Sequence, residues 1–133
     1  VSAANGISDD AWAAGGCHCG RVRFEARGRP TLVYVCNCSI CTKKGYLHWI
    51  VPLADVRVLS PADAVTTYAF NTGVAKHQFC PVCGCAPYYV PRSDPDKLDI
   101  NARCLDDVDL GALRVETFDG RNWEAHYEVY RAR

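Results

Sequence analysis

The sequence predicts a mainly β, mostly antiparallel fold forming a single domain with little helix. Three observations lead there. The chain has 133 residues, a single-domain length that buries roughly two-thirds of the surface its unfolded form exposes. Short apolar runs recur at near-regular spacing, and turn residues bound each one. Hydrophobic residues make up 49% and charged residues 23%, which excludes a disordered or collagen-like chain. No apolar run approaches the roughly 18 residues of a membrane helix.

Taken in order, residues 1 to 14 are small, polar and Ala-rich around a lone Trp12, and read as an N-terminal strap or disordered lead to a domain over 15 to 133. From Arg21 to Arg27 alternation is strict: Val22, Phe24 and Ala26 share one face and Arg21, Arg23, Glu25 and Arg27 the other, the mark of a half-buried strand. Further strands are expected at Thr31 to Val35, Tyr46 to Val51, Val56 to Leu59, Val65 to Phe70, Ala86 to Val90, Leu98 to Ala102 and Leu113 to Phe118. Turn signals at Gly28 to Pro30, Pro52, Ser60-Pro61, Asn71 to Gly73, Pro91 to Pro95 and Asp119-Gly120 separate them. The one helix expected is Trp123 to Arg131, where Trp123, Tyr127 and Tyr130 fall on one helical face, although Tyr127, Val129 and Arg131 also fit a strand.

The nine cysteines carry the chemistry. An odd count leaves at least one outside any disulfide framework, and residues 1 to 16 show neither the basic start nor the apolar run of a secretory signal. Cysteine usage therefore points to a reducing, cytoplasmic setting. The spacing is Cys17-x-Cys19, Cys36-x-Cys38-x-x-Cys41 and Cys80-x-x-Cys83-x-Cys85, with Cys104 alone. Cysteines one residue apart make strained disulfides, whereas two thiolates on one tight turn can face the same ion. Zinc, which favours four tetrahedral soft ligands, suits them. Gly84, directly after Cys83, sits where a metal knuckle needs a positive φ or a close backbone approach.

Pairing the clusters gives one closed site from Cys17, Cys19, Cys80 and Cys83, a structural zinc, and a second cluster of Cys36, Cys38 and Cys41 that leaves a fourth position open, as in catalytic zinc sites. A fourth ligand from Cys104, Cys85, His48 or His77 would instead close the second site, and disulfides are a further alternative. His18, between two cysteines, reads as a solvent-facing residue, and Cys85 as a buried apolar thiol.

The segments GGCHCGRVRFE, CNCSICTKKG, YAFNTGVAKHQFCPVCGC, PRSDP, CLDD and FDGRNWE resemble, in order and spacing, the family of glutathione-dependent formaldehyde-activating enzymes and the centromere protein V domain. The resemblance spans about residues 15 to 125, and CNCSIC, FNT, PRS and CLD are closer to the centromere protein V branch. It implies an Mss4-like zinc-binding β-tent with two zinc ions per chain: a structural one on Cys17, Cys19, Cys80 and Cys83, and a functional one on Cys36, Cys38 and Cys41. Neither Cys85 nor Cys104 inherits a ligand role. The activity implied is carbon–sulfur lyase-type, the addition of glutathione to formaldehyde.

The donor set itself favours thiol chemistry. Zinc with three thiolates is formally anionic and a poor polariser of carbonyls, but it can hold an incoming thiol as thiolate. Lys43, Lys44 or Arg92 would then meet the thiol's carboxylates, Tyr46, Trp49 or His48 would line the pocket, and His48 or His77 would pass a proton to the developing alkoxide. The competing expectation is a non-enzymatic zinc module for macromolecular interaction, similar to the centromere protein V domain. Equal numbers of basic and acidic residues, 15 each, argue against a nucleic-acid partner, and a solvated strand face accounts for most of the stripe Arg21, Arg23, Arg27 and Arg29.

Overall fold

The computed structural model describes residues 11–131 and builds ten strands into two sheets around one main core. The first sheet has the order β1-β2-β5, with β1 at Trp12–Gly16, β2 at Arg23–Arg27 and β5 at Val56–Val58, all antiparallel. The second has seven strands in the order β10-β3-β4-β9-β8-β7-β6: Arg114–Phe118, Leu32–Cys36, His48–Pro52, Lys97–Asn101, Tyr88–Val90, Lys76–Phe79 and Thr66–Tyr68. Only the β10–β3 pair is parallel among the described strands.

Alternation along β2 does what its pattern dictates. Val22 in the preceding turn, Phe24 and Ala26 are fully buried and meet Val51, Tyr88, Leu98 and Ile100 from the larger sheet in the main core. The arginines on the opposite side each find an oxygen. Arg23 pairs with Asp106, Arg27 with Asp55 at 3.2 Å, Arg29 with Asp107 at 3.9 Å, and Arg21 donates to the Ala64 carbonyl at 3.1 Å.

Three elements differ from the sequence reading. Trp12 to Ala14, assigned above to the lead, belong to β1, and residues 1–10 lie outside the described residues. The strand pairs with β2 from Trp12↔Arg27 to Gly16↔Arg23, and Trp12 carries the Arg57 guanidinium 3.6 Å over its ring. Polar β7 was not anticipated. Nor was the six-residue helix α1, Ser39–Lys44, which Cys38 caps by accepting from the Cys41 amide. The terminal helix α2, Trp123–Arg131, forms as expected, with Trp123 stacked on Tyr127 at 4.6 Å. No described helix is long and apolar enough to cross a membrane.

Candidate metal centre and cleft

All nine cysteines are free thiols, and seven of them gather into two clusters. Cys17 and Cys19 lie in the turn after β1, Cys80 and Cys83 in the turn after β7, and their four sulfurs lie within 4.8 Å of one another. Cys19 Sγ stands 3.6 Å from the sulfurs of both Cys17 and Cys80. Four thiolates at about 2.3 Å from a tetrahedral centre stand about 3.8 Å apart, so the spacing fits zinc.

Backbone amides aim at these sulfurs: Val22 N–H reaches Cys17 Sγ at 3.2 Å, and those of Val82 and Cys83 reach Cys80 Sγ at 3.4 Å each. Led by the Cys83 amide, these contacts hold the Cys80 thiol below its ordinary pKa, as a metal thiolate requires. Gly84 adopts φ +81°, the left-handed geometry that turns the knuckle.

The second cluster forms where β3 runs into α1. Cys36 ends the strand, Cys38 caps the helix and Cys41 lies within it, the three sulfurs again within 4.8 Å. Sulfur–hydrogen contacts from Cys36, then Cys41, draw the Cys38 thiol far below its ordinary value, while Cys36 is pushed up to about 11. Three convergent sulfurs make a donor set that suits a soft cation.

The segment after β10 clamps this loop. Asn37 Nδ2 donates to Asp119 at 2.9 Å, and Arg121 donates to Asn37 through its amide at 3.0 Å and its Nε at 2.9 Å. Gly120 lies against Cys36 and Cys38.

None of the candidate fourth ligands joins the three sulfurs within 4.8 Å. Cys104 sits apart, its thiol 3.8 Å from the Ala86 carbonyl and pushed up to about 12 by burial. Cys85 packs against the main core, and His18 is exposed.

Cys36, Cys38 and Cys41 line a cleft of about 400 Å³, and the four-cysteine cluster lies outside it. Alternation along β4 sends His48 and Ile50 to the cleft, whereas Trp49 and Val51 pack on the core. His77, Tyr89 and Phe70 supply a stacked aromatic wall, with His77 4.8 Å from Tyr89 and 5.5 Å from Phe70.

Of the surrounding residues singled out by sequence, His48, His77 and Arg92 line this space. Tyr46 lies buried behind it, its hydroxyl donating to the Asp99 carbonyl at 2.7 Å. Lys43 is exposed, and Lys44 extends over the Phe79 ring. Sequence reasoning missed Asp99, Tyr89, Gly120 and Arg121. An acidic residue inside the apolar run Leu98 to Ala102 was the available signal for Asp99.

Two sheets over a four-thiolate clamp and a three-thiolate cleft define a small zinc-binding β domain of the Mss4-like type. The chain belongs to the glutathione-dependent formaldehyde-activating enzyme family, whose model matches residues 12–131. It is also similar to a Rhodobacter sphaeroides protein of known crystal structure, at 34% identity with a TM-score of 0.68, over 77% of this chain and 99% of that one.

Proposed function

We propose that this protein is a carbon–sulfur lyase-type enzyme that adds a thiol, glutathione in the first instance, to formaldehyde or a related small aldehyde. The observation that carries this reading is the position of Cys36, Cys38 and Cys41 in the lining of a cleft that the four-cysteine cluster does not reach. Zinc bound to these three thiolates would supply a position at which an incoming thiol loses its proton near neutral pH.

The chain's own residues do the rest. Arg92, stacked 3.7 Å over Trp123, and Arg121 offer guanidinium forks to the substrate's carboxylates. The aromatic wall of Phe70, His77 and Tyr89 restricts water around the reacting carbon. Cys17, Cys19, Cys80 and Cys83 would hold a second, structural zinc, making two ions per chain in a protein working in the cytoplasm. The likeness of CNCSIC, FNT, PRS and CLD to the centromere protein V branch supports placing the chain nearer that branch.

The test is exchange-detected formation of S-(hydroxymethyl)glutathione by zinc-loaded protein. Acceleration over the spontaneous reaction should vanish in Cys38→Ser while about one zinc per chain is retained. Unchanged turnover in that variant would refute the proposal and leave the non-enzymatic zinc module as the better reading.

A further inference from the structure

Behind the three-cysteine cluster the cleft contains a buried acid–base pair. His48 and Asp99 are 5% and 1% exposed, and His48 Nδ1 lies 2.7 Å from Asp99 Oδ2. The two residues face the same side because β4 and β9 pair antiparallel with Ile50 opposite Asp99, and Tyr89 lies opposite Asp99 on β8. Tyr89 Oη stands 3.4 Å from Nδ1, and Tyr46 packs on the imidazole at 4.6 Å between ring centres. His48 Nε2 is buried with no hydrogen-bond partner, although its residue lines the cleft. A buried ring nitrogen left unpaired costs stability unless something it meets repays it.

We propose that His48 is the proton carrier of this cleft: Nε2 takes the proton of the incoming thiol and returns it to the oxygen of the adduct, with Asp99 as its positioning residue. This rests on the thiol-addition reading above. With Nδ1–H donating to the Asp99 carboxylate, the tautomer is fixed and the Nε2 lone pair is free for the thiol. The S–H bond breaks, its proton goes to Nε2, and sulfur keeps the electron pair. That pair forms the C–S bond as the carbonyl π pair moves to oxygen, and oxygen then takes the proton from Nε2–H. His48 ends neutral, and thiol plus aldehyde become a hydroxyalkyl thioether.

The other titratable groups around His48 are less suited. Burial pushes the Tyr46 and Tyr89 phenols well above their ordinary values, so both stay protonated. His77 is held down to about 4 by burial and by Lys44, too weak a base to keep a proton at neutral pH. Arg92 and Arg121 have no lone pair to offer, and the three cysteine sulfurs would be committed to the metal they can hold.

The test is nitrogen-15 NMR of the zinc-loaded protein with glutathione and, in parallel, 2-mercaptoethanol. Free protein should show His48 protonated at Nδ1 alone, and thiol binding should protonate Nε2 as well. Calorimetry in buffers of different ionisation enthalpy should show about one more proton released per bound thiol in His48→Gln than in wild type. Asp99→Asn should diminish the protonation of Nε2 on thiol binding, a change that a contact serving only to hold β4 against β9 would not produce. A proton on Nε2 in free protein, or binding that leaves His48 neutral, overturns the proton-carrier role while leaving thiol addition intact. No binding heat from either thiol sinks the thiol-addition reading itself, and this role with it.

Discussion

A Cβ built on Gly120 would stand 2.5 Å from Cys36 Sγ and 2.9 Å from Cys38 Cβ. Both contacts are shorter than van der Waals packing permits, and neither atom can retreat without opening the three-cysteine cluster. Gly120→Ala should therefore weaken metal binding at that cluster by about 10- to 100-fold, the range expected when groups supporting a ligand shell are disturbed. The four-cysteine cluster should be unaffected. Competition with a chromophoric chelator reads both affinities, and an unchanged weaker site would show that the loop relaxes around the new methyl. Cysteine spacing grouped Cys36, Cys38 and Cys41 because sequence-local ligands advertise themselves. Gly120 lies about eighty positions away in the chain, and the β10–β3 pairing that sets Phe118 beside Cys36, with the Asn37–Asp119 and Asn37–Arg121 contacts beyond it, brings it back. Asp99 was half legible: Leu98 and Ile100 marked the core face and so placed Asp99 on the other, but its partner lies on another strand.

The strands rich in large apolar side chains were legible as elements: β2 alternates buried and less buried positions, and β4 and β9, covered on both faces, carry the apolar runs Trp49 to Val51 and Leu98 to Ile100 around Asp99. Three others left none. Strand β1 is built of Ala and Gly after Trp12, and α1 is a single capped turn and a half, shorter than any periodicity can register. Strand β7 reads Lys-His-Gln-Phe, and its burial comes from His77 stacking with Tyr89 of β8 and with Phe70 in the loop between β6 and β7. That stack has a measurable consequence. His77 is 5% exposed and its pKa falls from 6.5 to about 4, through burial first and then the Lys44 charge, with His48 adding to the repulsion and Cys38 opposing it. Between those values the unfolded chain binds a proton that the folded chain refuses, so this contribution to stability is complete above pH 6.5 and is lost as pH falls toward 4. Between pH 7.5 and 5.5 wild type should lose about 1 kcal/mol more than His77→Phe, which keeps the stack without the titration. Urea unfolding at the two pH values checks it, and equal losses would mean that His77 accepts its proton in place.

At the scale of the whole molecule, the two sheets meet through the core and through the four-cysteine cluster. Cys17 and Cys19 extend from the smaller sheet and Cys80 and Cys83 from the larger, so an ion there would join segments 61 positions apart, as between Cys19 and Cys80. The main core contributes a modest set of large side chains, Phe24, Tyr88, Leu98 and Ile100 among them, and domains of this size are stable by only about 5 to 15 kcal/mol. Structural zinc contributes on the order of 10 kcal/mol of folding free energy in small domains, so its removal would consume most of that margin. The three-cysteine cluster differs because all its ligands lie on one short stretch, from the end of β3 into α1. It closes no long loop, and losing its ion removes little chain constraint. Cys19→Ser should therefore abolish cooperative thermal unfolding or lower the midpoint by more than 15 °C, roughly 3 kcal/mol or more for a chain this long. Cys38→Ser should lose its own ion and shift the midpoint by only a few degrees. Metal content and thermal unfolding measured on the same samples read both effects. Equal shifts in the two variants, or a chelated protein that still melts cooperatively at the wild-type temperature, would show that core packing alone holds the sheets together.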